Sequence, residues 1–262
     1  MDLHLAGKTA VVTGASKGIG LAITRALAGE GVSVVAGARE TTTELSDLAA
    51  RTTIRPVPVD LTTADGPAQL VEEAISAYGG LDILVNNVGA VRPRTGGFLS
   101  VTDEDWLSAM TINFLAAVRT TRAALPHLID RGNAIIVSIN SVNARLPDPL
   151  VIDYSAAKAA LANFSKSLSK EVAAHGIRVN TVSPGPVSTG LWLGTHGVAA
   201  TVAQAAGSAP EAVAQRAANA SATGRFTQPE EVADLVLLLA SDRTGNVTGA
   251  DFVIDGGLIT TV

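Results

Sequence analysis

Tyr154 and Lys158 stand four positions apart in the stretch IDYSAAKAAL, a spacing that places a phenol and an ammonium on one face of a helix. Alone, such a pair is ordinarily a solvated surface contact. Ser141 changes the reading, because it lies thirteen positions before Tyr154 and just beyond an apolar run at 134–139. That is the carboxyl edge of a predicted strand, where open α/β sheets bind ligands. A second constellation lies near the start, where the β-branched run 9–13 passes into Gly14-Ala15-Ser16-Lys17-Gly18-Ile19-Gly20 and then into the helical LAITRALA. Gly14 permits a sharp turn, Gly18 a close approach of backbone to a phosphate, and Gly20 tight packing of helix on strand, while the first N–H groups of the helix suit an anion. The spacing is G-x-x-x-G-x-G rather than the better-known G-x-G-x-x-G, and by itself it is also compatible with a plain glycine-rich turn.

These residues need a scaffold, and the remaining sequence predicts one. Strands are expected near 9–13, 32–37, 55–59, 81–85, 134–139, 178–182 and 250–254, with helices near 18–28, 43–50, 65–78, 103–128, 154–174 and 229–240. Strand and helix alternate from end to end, and several strands are apolar on both faces, which predicts an α/β fold built on a doubly wound parallel sheet of about seven strands. No linker divides 1–262, so a single domain is expected. The Ala-rich stretch 190–222, with Trp192, His196 and Pro210, has no strand character; one or two short helices forming a substrate lid are expected there, with a surface excursion of no role as the alternative. Trp106 and Trp192 are candidates to line a substrate site or to serve ordinary packing.

Composition removes several function classes. The 262 residues carry 19 Lys and Arg against 24 Asp and Glu, with no basic block, so a nucleic-acid partner is not expected. With no cysteine there are no disulfides, thiolate nucleophiles or thiolate zinc sites, and no His and carboxylate cluster has metal-ligand spacing. Apolar runs such as 235–240 fall far short of the roughly 18 residues that span a bilayer, and the opening MDLHL lacks a basic leader region. A cytoplasmic chain with neither membrane nor metal is the expectation.

The TGASKGIG turn, Asp60, Asn86-Asn87-Val88-Gly89, Asn113, Ser141, Tyr154-Ser155-Ala156-Ala157-Lys158, Pro184-Gly185 and Asp255-Gly256-Gly257 follow one another in an order that resembles the short-chain dehydrogenase/reductase family, in particular its 3-oxoacyl-[acyl-carrier-protein] reductase-like members, over essentially the whole chain. The resemblance implies a Rossmann fold, a homotetramer and a catalytic tetrad of Asn113, Ser141, Tyr154 and Lys158. It further implies a nicotinamide cofactor held by Gly14, Ser16, Lys17, Gly18, Ile19, Gly20, Arg39, Asp60, Leu61, Asn87, Gly89, Tyr154, Lys158, Pro184, Gly185, Val187 and Thr189. Asp60 would meet the adenine, and Asn86 would be the structural asparagine on the cofactor side. Val88 and Asn140 depart from the commoner alanine and serine. Apolar or small residues on more than one face of 103–128 and 154–174, with Ala156, Ala159, Ala160, Ser165 and Ser169 expected on the exterior of the second, agree with helices that also meet a partner copy.

Carbonyl reduction needs a hydride and a proton, and a phenol with a pKa near 10 serves poorly at neutral pH unless perturbed. Lys158, assisted by the charge of the oxidised nicotinamide, is expected to favour the phenolate and, by resemblance, to hold the nicotinamide ribose; Ser141 would donate to the substrate oxygen and Asn113 would seat a water for proton relay. Ala38 stands where an NAD-selective member would carry Asp, and Arg39 and Lys17 bring positive charge to the same side. The sequence therefore predicts hydride transfer between NADP(H) and a small-molecule ketone or secondary alcohol, with an NAD-dependent alcohol dehydrogenase or a non-catalytic cofactor-binding regulator as alternatives.

Overall fold

The computed structural model describes residues Met1–Thr261. Seven parallel strands, β1 (Thr9–Thr13), β2 (Ser33–Ala38), β3 (Ile54–Pro58), β4 (Ile83–Asn86), β5 (Ile135–Ile139), β6 (Arg178–Pro184) and β7 (Asp251–Ile254), form one sheet in the order β3-β2-β1-β4-β5-β6-β7. The chain runs outward from β1 to β3 and returns to lay β4 on the other side of β1. That reversal creates a crevice at the carboxyl ends of β1 and β4, the place where doubly wound sheets bind ligands. Pro56 and Pro58 fall in β3, an edge strand whose outer N–H groups have no partner to lose.

Alternate residues along each strand feed two cores. Ala10, Val12 and Val34 pack with Leu21, Ile23 and Leu27 of α1 (Gly18–Gly29). Val11, Val35 and Leu84 face the opposite side, with Leu70 and Val71 of α3 (Gly66–Tyr78), Ala124 and Leu128 of α5 (Ala116–Arg131), and Leu168 and Val172 of α6 (Ile152–Val172). Covering both faces in this way is why the strands read as apolar throughout. Helix α2 (Thr43–Ala49) follows β2, and α10 (Pro229–Ala240) lies beside α1.

Three expectations change. The predicted helix 103–128 is α4 (Asp103–Met110), a π-helical turn Thr111–Leu115 carrying Asn113, and then α5. One extra residue in a turn leaves the apolar period almost intact, so the sequence does not announce it, and such turns recur at functional sites. Ser165 and Ser169 are buried rather than on the outer face of α6, while Ala156 and Ala159 are exposed. The stretch 190–222 holds three helices, α7 (Gly190–Leu193), α8 (Val198–Ala206) and α9 (Pro210–Asn219). Among the described residues no helix is long and apolar enough to cross a membrane.

Candidate active site

The carboxyl ends of β1 to β6 open into one cavity of about 950 Å³. One end is built by the glycine turn. Gly14 has φ +67°, and a Cβ on Gly20 would lie 2.2 Å from the Gly14 carbonyl oxygen and 2.4 Å from Asn87 Nδ2, so only glycine lets α1 begin so close to β1. Lys17, at the N-cap of α1, makes no side-chain capping bond, which leaves the first N–H groups of the helix open to an anion. Asn87 Nδ2 donates to Thr13 O (2.8 Å) and Gly14 O (3.1 Å), and Thr13 Oγ1 accepts from the N–H groups of Asn87 (2.8 Å) and Val88 (3.0 Å). The ends of β1 and β4 are thereby stitched together at the crevice. Asn86 corrects an expectation: because neighbouring side chains on a strand point to opposite faces, its Nδ2 donates to Thr121 Oγ1 of α5 at 3.0 Å, away from the cavity.

Ser16, Lys17, Gly18, Ile19, Arg39, Asp60, Leu61, Gly89, Pro184, Gly185, Val187 and Thr189 all line the same cavity. Arg39 and Lys17 are exposed on its rim, and neither joins an ion pair among the described residues; Glu40 follows on the same rim. Asp60 Oδ1 accepts from the Thr62 N–H (2.9 Å) and hydroxyl (2.7 Å), and these bonds, helped by Arg39, hold its carboxyl below the usual value.

At the other end Ser141, Tyr154 and Lys158 come together. The Ser141 hydroxyl accepts from the Asn143 N–H and donates to Asn143 Oδ1, both at 3.1 Å, and lines the same cavity as Tyr154. Burial pushes the Tyr154 phenol above its ordinary pKa, and the Ser141 hydroxyl pulls it only part of the way back. Lys158 Nζ donates to Ile139 O at 2.8 Å and stands 5.7 Å from the Tyr154 ring centre, while burial dominates the phenol in the cofactor-free chain. Burial also lowers Lys158 from 10.5 to about 8. At neutral pH the site therefore holds a protonated phenol beside an ammonium.

Asn113 does not line the cavity. Its Nδ2 donates to Ala90 O (2.9 Å) and Ala109 O (3.0 Å) and its Oδ1 accepts from Ala90 N–H (3.0 Å), so it seats the wall behind Gly89. Trp192 lines the cavity, packed edge-on against Phe226 at 5.3 Å, whereas Trp106 does not. Sequence reasoning missed Thr13, although it adjoins the glycine turn, and Asn143, which carried no signal of its own.

The family model for short chain dehydrogenases matches residues 8–196. A 3-oxoacyl-[acyl-carrier-protein] reductase of Thermotoga maritima is 34% identical over 261 residues, covering 98% of this chain and 100% of the relative. The chain belongs to the short-chain dehydrogenase family. A 3-alpha-(or 20-beta)-hydroxysteroid dehydrogenase of Mycobacterium tuberculosis is 32% identical over 267 residues, covering 99% of this chain and 92% of the relative. The crystal structure of L-sorbose reductase from Gluconobacter frateurii, complexed with NADPH and L-sorbose, matches with a TM-score of 0.91 at 34% identity and covers all of both chains. This short-chain dehydrogenase is accordingly an oxidoreductase of a family that uses a nicotinamide cofactor.

Proposed function

We propose that this short-chain dehydrogenase reduces a ketone to a secondary alcohol with NADP(H). The observation that carries the reading is the meeting of Ser141, Tyr154 and Lys158 in the same cavity as an open helix N-terminus and two cations, Arg39 and Lys17, that join no ion pair among the described residues. The residues fit the cofactor: Gly14, Gly18 and Gly20 keep the turn free of side chains, the α1 terminus suits a pyrophosphate, and Arg39 and Lys17 suit a ribose phosphate. When bound, the cofactor supplies or accepts the hydride. Ser141 exchanges its bond to Asn143 for one to the substrate oxygen, and Tyr154 delivers its proton to that oxygen as negative charge develops. Lys158, an ammonium below about pH 8, stabilises the phenolate left behind and holds the ribose. Both N–H groups of the Asn113 amide are spent, which leaves one lone pair of Oδ1 for a relay water.

Pro93, Leu146, Leu150, Trp192, Val202 and Val213 give the cavity an apolar side, which favours a ketone with an apolar body, such as a 3-oxoacyl thioester or a cyclic ketone. The test is an NADPH-oxidation screen over those two classes and ketoses. Turnover of any of them supports the reading, and cofactor binding without turnover of any would replace it with the regulator.

Helices α7 to α9 act as a lid over the substrate. Substituting Trp192 with Ala should change KM or the preferred ketone several-fold with little effect on NADPH affinity, and hydrogen exchange in 190–222 should slow when cofactor and substrate bind. Equal protection in both states would remove the lid. The chain works in the cytoplasm as a homotetramer, with exposed Ala156 and Ala159 on α6 and Leu107 on α4, 68% exposed, on the contact faces. Light scattering should give four chains at micromolar concentration, and a stable monomer would refute this assembly.

A further inference from the structure

Arg94 belongs to none of the motifs, yet it joins three parts of the site. Its Nη1 lies 2.9 Å from Asp105 Oδ1 in the first turn of α4, and both Nε, at 3.1 Å, and Nη2 donate to Asp153 Oδ2. Its backbone N–H donates to Leu150 O at 2.6 Å, so main chain and side chain alike tie this segment to the entry of α6. Asp153 is only 2% exposed and the Arg94 side chain 13%. A carboxylate so buried is costly without a partner. None of the three residues belongs to either apolar core. What Asp153 adjoins is Tyr154, whose backbone N–H donates to Asp153 Oδ1 at 2.9 Å. Helix α4, gripped through Asp105, runs directly into the π turn that carries Asn113. One guanidinium therefore connects the helix start that presents Tyr154 with the helix that leads to Asn113.

We propose that Arg94 is a positioning residue for the catalytic tyrosine: through Asp153 it fixes the first turn of α6 and balances the charge next to Tyr154. The proposal rests on the reading of Tyr154 as the proton donor. The charged groups the structure links to this tyrosine are Lys158, 5.7 Å from its ring centre, and Asp153, which accepts from its backbone N–H, with Arg94 paired to Asp153 and Asp105 to Arg94; Ser141 and Asn113 are neutral. Removing Arg94 leaves the Asp153 carboxylate unbalanced, which disfavours the phenolate, and frees the turn to shift. Misplacing a reacting group by about 1 Å can cost on the order of 10²-fold in rate.

The chain has two tyrosines, Tyr78 and Tyr154, so a near-ultraviolet phenolate titration of the whole protein, minus that of the Tyr154→Phe variant, isolates Tyr154 without any substrate. Arg94→Met is expected to raise the Tyr154 titration by about 0.5 pH unit or more, from one unbalanced charge at moderate effective dielectric. Asp153→Asn should lower it, and the double variant should return it toward the unaltered value. With a ketone from the screen, Arg94→Met should lower kcat by about tenfold or more, with NADPH affinity by fluorescence unchanged, and Arg94→Lys should restore part of both effects. A Tyr154 titration and a kcat per folded molecule that stay put in Arg94→Met, even if melting falls, would make Arg94 a structural tie only. If that variant does not fold, an unshifted titration in Asp153→Asn overturns the proposal instead. Failure of the functional reading looks different, since Tyr154→Phe would then keep full turnover.

Discussion

Tyr154→Phe is expected to lower carbonyl reduction by about 10²-fold or more, the usual range for a general acid, while NADPH binds as before. The ring still fills its place beside Lys158, and only the phenolic hydroxyl is deleted. Lys158→Met should impair both turnover and cofactor binding. It should also raise the melting temperature at neutral pH. Burial holds Lys158 at about 8 against 10.5, so the unfolded chain binds the proton more tightly, and the charged lysine weakens the fold at every pH below the folded value. That cost fades as pH rises from about 8 toward 10.5, the window fixed by those two values. Near-full reductase activity in Tyr154→Phe would refute its role as the acid, and a lower melting temperature in Lys158→Met would refute the burial argument.

Cofactor choice should give the second large effect. Ala38 leaves no carboxylate at the end of β2, and exposed Arg39 and Lys17 face the same cavity without ion-pair partners among the described residues. A hydrogen bond to a charged group contributes about 1.5 to 3 kcal/mol, so kcat/KM with NADPH should exceed that with NADH by roughly ten- to a hundredfold. The margin should widen at low salt, because both cations are exposed. Arg39→Ala should erase most of it, and Ala38→Asp should reverse it by repelling a phosphate and accepting from a ribose hydroxyl. Equal kcat/KM for the two cofactors in the unaltered enzyme would favour an NAD-dependent dehydrogenase.

The sheet and the glycine turn were legible because their signals are local. A strand such as β1, buried on both faces, must be apolar over its whole length, and Gly20 is imposed by a backbone contact within the same short segment. The match of Ser141, Tyr154 and Lys158 to one cavity was also readable, since strand end and helix start follow one another in the chain. What escaped depends on contacts that sequence neighbours do not reveal. The π turn at Asn113 shifts a helix by one residue without breaking its apolar stripe. Asn86 and Asn87 are chemically identical, and only the pleat decides which of them meets the glycine turn. Arg94 and Asp153 are separated by 59 positions, and nothing in either residue type announces their partner.

The central claim is that this cavity moves a hydride from NADPH to a ketone carbon. Incubation with NADPH deuterated at the transferable position of the nicotinamide, together with 3-oxoacyl thioester, cyclic ketone and ketose substrates, followed by mass spectrometry of the products, tests it most directly. The account predicts a secondary alcohol carrying one deuterium on the carbinol carbon, formed with the unaltered enzyme and depleted about 10²-fold or more with Tyr154→Phe, as for loss of a general acid. Binding of NADPH with no deuterium delivered to any of these ketones would contradict it.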